Sequence, residues 1–132
     1  MNAGCKTFEE PVPASSPTVL VVEDDMLVRS LAAAYLRDCG FEVIEATGAD
    51  EAIRILQADV HVDIVFSDVN MPGSMDGFGL AQWVRRERPK LRVILTSGAA
   101  RTTAEAAGHV AILAKPYDHA ALERYIRALL AP

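Results

Sequence analysis

Short apolar runs rich in β-branched residues alternate along the chain with longer stretches of helical periodicity. The runs are TVLVV at 18–22, FEVIEA at 41–46, DIVFS at 63–67, RVILTS at 92–97 and VAILA at 110–114. Most of them lack a clean two-residue alternation, which is typical of parallel strands that are covered on both faces. The pattern therefore predicts a five-stranded, doubly wound α/β domain.

Between the runs, apolar residues recur at helical spacing and predict amphipathic helices. The four sets are Leu27, Leu31, Ala34 and Tyr35; Ala49, Ala52, Ile53 and Leu56; Phe78, Ala81 and Val84; and Leu122, Ile126, Leu129 and Leu130. The fourth connection, 98–109, leaves room for only a short helix. Residues 1–17 are polar and Pro-rich without periodicity, so we expect a flexible segment before a folded unit that begins near Thr18.

Length and charge limit the class of protein. With 132 residues and 51% hydrophobic content, the chain suits one domain with one core. A formal net charge of −5 gives no basic excess of the kind that binds a phosphate backbone, so no nucleic-acid partner is expected. No apolar run is long enough to cross a bilayer, and the N-terminal stretch does not resemble a secretory signal. These features predict a soluble, cytoplasmic protein without a membrane partner.

Polar residues gather where the predicted strands end. The first strand runs into Glu23, Asp24 and Asp25, the third into Asp68, the fourth into Thr96 and Ser97, and the fifth into Lys115 followed by Pro116. In open parallel sheets the binding crevice lies outside the carboxyl ends of the strands. We therefore expect these residues to meet at one edge of the sheet.

Such a group of carboxylates needs compensating positive charge. Two carboxylates about 4 Å apart repel by roughly 4 kcal/mol at an effective dielectric constant of about 20. Lys115 supplies one positive charge, and a divalent cation would supply the remainder. Mg²⁺ binds one or two carboxylates, keeps several waters and bridges to phosphoryl oxygens. The sequence thus indicates a site for a metal-assisted phosphoryl group.

Each of these residues also has a purely structural interpretation. The acidic turn at 23–25 suits a helix N-terminus, and Asp68 suits the start of the turn that follows it. Ser97 can cap a turn, and Lys115 can be an ordinary solvated lysine. Their joint placement at four strand ends is what favours chemistry over these alternatives.

These same residues resemble the receiver domain of bacterial two-component response regulators. The resemblance rests on VLVVEDD, FSDVNMPG with DGF, ILTSG and AKP, in this order, and it covers roughly residues 18–131. It implies a flavodoxin-like fold with strand order 2-1-3-4-5 and a short or distorted fourth helix. It also implies a protein that is not an enzyme, since it would catalyse only its own phosphorylation and dephosphorylation.

The resemblance assigns a role to each matching position. Asp68 corresponds to the phosphoacceptor, and Lys115 and Ser97, rather than Thr96, correspond to the other catalytic groups. Mg²⁺ (or Mn²⁺) would be bound by Asp24, by Asp68, by the backbone carbonyl of Asn70 and, through water, by Glu23. Asp25 lies one step beyond the acidic pair. Pro116 matches a residue that follows a cis peptide bond, which an X–Pro pair adopts readily.

Three departures from the family pattern limit what can be carried over. The MPGSMDG loop after Asp68 is one residue longer than usual. Ile112 occupies the position of the aromatic switch residue, three before Lys115. Only 17 residues lie between Ser97 and Lys115, a few fewer than is common. Without an aromatic ring at Ile112, an aromatic rotamer swing coupled to Ser97 cannot be the readout in its usual form. The shorter segment affects the face made by helix 4, strand 5 and helix 5, which commonly carries dimerisation and output in this family.

The function that follows is a stand-alone response regulator, or a fragment of a larger protein. It would take its phosphoryl group from a histidine kinase or histidine phosphotransferase and act in a relay or on an unknown protein target. MLVRSLAAAY (26–35) offers apolar residues for docking the phosphodonor, although Met26 and Leu27 equally suit core or helix-start packing. The alternatives are a pseudo-receiver that binds partners without phosphorylation and a haloacid-dehalogenase-like phosphatase, whose nucleophile would follow the first strand.

Overall fold

The computed structural model describes residues 16–98 and 110–132. Within these ranges the chain forms five strands and four helices. The strands are β1 (Thr18–Val22), β2 (Glu42–Ala46), β3 (Ile64–Asp68), β4 (Arg92–Ser97) and β5 (Val110–Ala114). The helices are α1 (Met26–Asp38), α2 (Ala49–Gln57), α3 (Gly77–Glu87) and α4 (His119–Leu130).

All strand pairs are parallel, and the sheet has the order β2-β1-β3-β4-β5. The predicted doubly wound fold and its strand order are confirmed. The observed strand bounds lie within one residue of the predicted ones, and β3 extends far enough to include Asp68. The expected flexible segment falls largely outside the described residues, and so does nearly all of the expected short helix at 98–109.

The sheet separates the core into two layers because successive strand residues point to opposite faces. Leu20 of β1 and Val65 of β3 pack on one face with residues of α2 and α3. Val19 and Phe66 pack on the other face with residues of α1 and α4. Both faces are therefore covered, as the apolar runs without alternation predicted.

Helix α1 packs on the sheet with a different face from the one that the spacing of Leu27 and Leu31 predicted. Its buried residues are Ala32, Ala33 and Leu36, whereas Leu27 is 65% exposed and Leu31 is 53% exposed. The helix carries two apolar stripes, and the stripe with small alanines lets the helix backbone lie close to the strands. The larger stripe, with Leu27 and Leu31, is left facing solvent.

Three helices begin at an aspartate that caps their first turn. The carboxylates of Asp25, Asp76 and Asp118 accept backbone hydrogen bonds from the residues three positions later, at 3.0, 2.9 and 2.7 Å. A capping carboxylate satisfies an N–H group that has no partner inside the helix. These caps fix where α1, α3 and α4 begin.

Gly77 allows α3 to begin directly against the end of β3. A Cβ atom at this position would lie 2.7 Å from the Cα of Val69 and would clash with the carbonyl oxygen of Asp68. Gly77→Ala is therefore expected to lower the free energy of unfolding by about 1–3 kcal/mol, because an extra methyl group overpacks a site that is already close-packed. Urea denaturation measures this change.

Gly79→Ala is the matched control, since its Cβ would approach the flexible side chain of Met75, at 2.6 Å, and would make an ordinary contact with Oδ1 of Asp76, at 3.7 Å. We expect a smaller loss of stability for this variant. Equal losses for the two variants would contradict the close approach of α3 to Asp68.

Candidate functional site

Three carboxylates converge at the carboxyl edge of the sheet. Glu23 and Asp24 follow β1, and Asp68 ends β3, which lies beside β1 in the sheet. One carboxylate oxygen from each residue lies within 4.8 Å of the others. Glu23 and Asp68 are buried, whereas Asp24 is exposed. The structure thus brings together three of the four acidic residues that the sequence placed at strand ends, and the fourth, Asp25, caps α1.

Asp68 is held by groups from two directions. The ammonium Nζ of Lys115 lies 3.2 Å from its Oδ2, and the backbone N–H of Asn70 donates to its Oδ1 at 3.3 Å. The Lys115–Pro116 peptide bond is cis, as predicted. Asp68 is therefore a fixed carboxylate with a cation on one oxygen and an amide donor on the other.

Ser97 and Thr96 occupy different positions relative to Asp68. Thr96 lies opposite Asp68 in the β3–β4 register, and Ser97 lies one residue further, opposite Ala114. Both are buried, and the Thr96 hydroxyl has no hydrogen-bond partner among the described residues. The Ser97 carbonyl accepts the N–H of Lys115 at 3.1 Å, so the end of β4 is joined to the lysine.

Glu23 is the carboxyl group whose ionisation the site changes most clearly. The pKa of Glu23 is raised to about 7, first by burial and then by its neighbours Asp68 and Asp24, while the hydrogen bond from the Asp25 N–H acts in the opposite direction. That hydrogen bond, from Asp25 N to Glu23 Oε2, is 3.0 Å long. The surroundings of Glu23 therefore disfavour the charged form of its carboxyl group.

The residues fit a Mg²⁺ ion. All the converging side chains offer hard oxygen ligands, which Mg²⁺ prefers, and three carboxylates face a single ammonium. Burial is the main cause of the raised pKa of Glu23, and the charges of Asp68 and Asp24 also contribute, so part of the rise reflects the negative charge gathered at this edge. A divalent cation would remove the repulsion.

Asp24 and Asp25 provide a sharp test of this interpretation. Asp24 belongs to the cluster, whereas the Asp25 carboxylate caps α1 through the N–H of Val28. Asp24→Asn is expected to weaken Mg²⁺ binding at least about tenfold, because a charged ligand is lost. Asp25→Asn is expected to leave it unchanged, since asparagine caps helices as well as aspartate does. Isothermal titration calorimetry measures both, and equal losses would contradict the assignment.

The raised pKa of Glu23 predicts how stability without metal depends on pH. Its pKa is about 7 in the folded protein and near the ordinary 4.5 in the unfolded chain, so the folded state binds more protons between these values. Stability from this group is therefore present below pH 4.5 and is lost as the pH rises towards about 7. Urea denaturation in EDTA should show that the free energy of unfolding of the wild type falls as the pH rises from about 4.5 to about 7. The same plot for Glu23→Gln should be flatter. The same slope in both proteins would contradict the prediction.

Two residues near the site were not singled out in the sequence. Nη1 of Arg29 donates to the carbonyl of Glu23 at 2.9 Å. The pKa of Tyr117 is raised to about 12, first by burial and then by the charges of Glu23 and Asp68. The Tyr117 ring packs edge-on against Phe66 at 5.8 Å between centroids. Only its place directly after AKP marked Tyr117, and nothing local marked Arg29, whose contacts depend on the fold.

An apolar surface lies beside this edge. Met26, Leu27 and Leu31 of α1 are 70%, 65% and 53% exposed. Packing in the core is therefore excluded for Met26 and Leu27. Among the described residues, no helix combines the length and the apolar character that crossing a membrane requires.

Comparison with known proteins places this chain in a family. The family model for the response regulator receiver domain matches residues 19–127 of this chain. The sensor kinase CckA of Brucella abortus is 41% identical over 86 residues, and the autoinducer 1 sensor kinase/phosphatase LuxN of Vibrio campbellii is 35% identical over 83. These matches cover 64% and 63% of this chain. The chain spans only 9% and 10% of the length of those two relatives.

Solved structures agree with this placement. A response regulator receiver protein from Sinorhizobium medicae superposes with a TM-score of 0.81 at 26% identity, covering 87% of this chain and 94% of that one. The receiver domain of the hybrid histidine kinase CckA gives 0.73 at 35% identity, covering 86% and 98%. TrrA from Thermotoga maritima, solved in complex with Mg²⁺ and BeF, shares the fold with a TM-score of 0.72 at 24% identity, covering 86% and 99%.

The parallel sheet and the acidic cluster at its carboxyl edge define a domain of the two-component signalling class. The chain belongs to the response regulator receiver domain family. Domains of this family are signalling modules that bind Mg²⁺ at an acidic pocket, and Glu23, Asp24 and Asp68 form such a pocket here.

Proposed function

We propose that this receiver domain, over residues 18–131, accepts a phosphoryl group on Asp68 from a histidine kinase or a histidine phosphotransferase. The observation that supports this most directly is the Lys115 ammonium 3.2 Å from Oδ2 of Asp68, beside the carboxylates of Glu23 and Asp24. A carboxylate becomes an effective nucleophile towards phosphorus when positive charge screens the phosphoryl oxygens. The edge of the sheet offers that combination.

In the proposed reaction a carboxylate oxygen of Asp68 forms a bond to phosphorus. The bond between phosphorus and the donor's histidine nitrogen breaks, its electron pair stays on the imidazole, and the imidazole takes up a proton. Mg²⁺ bound by Asp24, Asp68 and the Asn70 carbonyl, with Glu23 acting through water, would supply positive charge next to the phosphoryl oxygens. Lys115 supplies a second positive charge, and the Ser97 hydroxyl donates a hydrogen bond to the phosphoryl group.

The exposed apolar surface of α1 is the proposed docking site for the phosphodonor. Met26 follows the acidic turn directly, so a partner seated on Met26, Leu27 and Leu31 would hold its histidine close to Asp68. Large exposed apolar side chains grouped on one surface are typical of protein interfaces. This arrangement fits a helical donor better than an extended peptide, because two helices pack along such stripes.

The output would be a phosphorylation-dependent contact with a target protein in the cytoplasm of a bacterium, or transfer of the phosphoryl group along a relay. Ile112 has no aromatic ring, so the readout does not involve an aromatic rotamer change at that position. The Ile112 carbonyl instead accepts a hydrogen bond from the hydroxyl of Tyr125 in α4, at 3.2 Å. Movement of the middle of β5 would therefore reach α4 through this contact.

The test is phosphorylation by a small phosphodonor. The protein is incubated with Mg²⁺ and acetyl phosphate, and its intact mass is recorded with and without EDTA. We expect a gain of one phosphoryl group that base removes and that EDTA prevents. An unmodified mass, together with no Mg²⁺ binding by calorimetry, would overturn the proposal in favour of a pseudo-receiver that acts without phosphorylation.

A further inference from the structure

Arg29, in the first turns of α1, joins three parts of the structure at the acidic edge. Its Nη1 donates to the carbonyl of Glu23 at 2.9 Å, and its Nε pairs with Oε1 of Glu45 in β2 at 3.2 Å. Its backbone N–H donates to the carbonyl of Asp25 at 2.9 Å. The Arg29 side chain is only 13% exposed. One largely covered guanidinium therefore links α1, β2 and the acidic turn.

The main chain of Glu23 is held by hydrogen bonds at both its N–H group and its carbonyl group. Its N–H donates to the carbonyl of Ala46 in β2 at 3.0 Å, and its carbonyl accepts the bond from Arg29. Its carboxylate accepts the N–H of Asp25. Of these three hydrogen bonds, only the one from Arg29 is donated by a side chain. A substitution of Arg29 therefore changes how Glu23 is held without altering an acidic residue.

The contact requires the geometry of a guanidinium. Nε and Nη1 lie on one planar group, so they reach a carboxylate and a carbonyl at the same time with a fixed angle between them. A lysine has the same charge but a single ammonium on a flexible chain, which cannot hold both acceptors in the same geometry. The charge and the geometry of Arg29 can therefore be separated by experiment.

We propose that Arg29 is a positioning residue of the metal site, acting through the main chain of Glu23 to direct the acidic turn towards Asp68. The inference rests on the proposed function, because it assumes that Glu23, Asp24 and Asp68 bind Mg²⁺. Groups that hydrogen-bond a metal ligand directly usually contribute about 10–100-fold to metal affinity. Arg29 acts through the main chain of Glu23, so we expect its contribution at the low end of this range.

Arg37 provides a matched control. It pairs with the other oxygen of the same carboxylate, Oε2 of Glu45, at 3.2 Å, and it donates to the carbonyl of Val43 at 3.0 Å. It makes no contact with Glu23 among the described interactions. Arg37→Lys therefore alters the same ion-pair network without altering the hold on Glu23.

The experiment compares Arg29→Lys with Arg37→Lys by calorimetry of Mg²⁺ binding and by urea denaturation. We expect Arg29→Lys to raise the dissociation constant for Mg²⁺ about tenfold, and Arg37→Lys to leave it unchanged. Saturating Mg²⁺ should restore the rate at which Arg29→Lys is phosphorylated by acetyl phosphate, because the defect lies in affinity. Glu45→Gln should weaken Mg²⁺ binding in the wild-type background but add little to Arg29→Lys.

Wild-type Mg²⁺ affinity in Arg29→Lys, with only its unfolding midpoint lowered, would show a purely structural role and overturn the inference. An equal loss of affinity in Arg37→Lys would overturn it as well. In both cases the wild type still binds Mg²⁺, so the proposed function stands. Absence of Mg²⁺ binding in the wild type would overturn the proposed function together with this inference.

Discussion

Asp68→Asn is expected to abolish the base-labile phosphoryl adduct completely. Asparagine keeps the size of the side chain and an oxygen that can accept the Asn70 N–H, but its neutral amide is not a nucleophile towards phosphorus. The variant also loses the negative charge that faces Lys115 at 3.2 Å. Intact-mass measurement after incubation with Mg²⁺ and acetyl phosphate records the effect.

Asp25→Asn is the control for Asp68→Asn. It removes a carboxylate from the same edge, but one that serves as the cap of α1. This variant should be phosphorylated like the wild type, and circular dichroism should show that both variants are folded. An adduct of undiminished yield on Asp68→Asn would place the acceptor elsewhere and contradict the assignment.

Lys115→Met is expected to slow phosphorylation about 10²–10³-fold, the loss that follows removal of a fixed charge or donor from a developing anion. Methionine keeps most of the aliphatic chain of Lys115. That chain lies close to Gly98, since a Cβ atom placed on Gly98 would be 3.7 Å from Cδ of Lys115. The ammonium, which is the group next to Asp68, is the part that is lost. The rate is measured from the growth of the phosphorylated mass with time at saturating Mg²⁺.

Lys90→Met separates this effect from a general loss of positive charge. Lys90 is exposed and lies just before β4, at the opposite end of that strand from Ser97. Its replacement should leave the rate unchanged. If Lys115→Met were phosphorylated as fast as Lys90→Met, the lysine beside Asp68 would have no part in the chemistry.

The sequence predicted the sheet well because parallel strands that are buried on both faces have a strong local signature. Uninterrupted runs predicted strands with bounds that the structure reproduces, at 18–22, which is almost wholly buried, and at 110–114, which is half-buried at the edge of the sheet. From the strand ends alone, the sequence also predicted that Glu23, Asp24 and Asp68 would lie at one edge. Topology carries such predictions, because the carboxyl ends of parallel strands coincide.

Helix α1 shows where local patterns are insufficient. Periodicity identifies an apolar stripe but does not decide which of two stripes faces the sheet. The stripe with Ala32 and Leu36 is buried, and the one with Leu27 is exposed. The choice depends on how closely the helix backbone can approach the strands, which is a property of the packed structure.

The roles of Glu23 and Arg29 depend on contacts between distant segments. The pKa of Glu23 is raised first by burial and then by Asp68, which lies 45 positions further along the chain. Arg29 pairs with Glu45 of β2. No pattern within a short window of sequence contains either contact, so both residues acquire their properties only once the sheet has formed.

The direction of the helices has an electrostatic consequence for the acidic edge. Helices α1, α2, α3 and α4 follow the carboxyl ends of β1, β2, β3 and β5, so all four begin on the side of the sheet that holds Asp68. The dipole of each helix places about half a positive charge at its N-terminus. The backbone therefore contributes a positive potential at the place where three carboxylates gather. An anion added to Asp68 would be stabilised in part by the fold itself, independently of which side chains surround it.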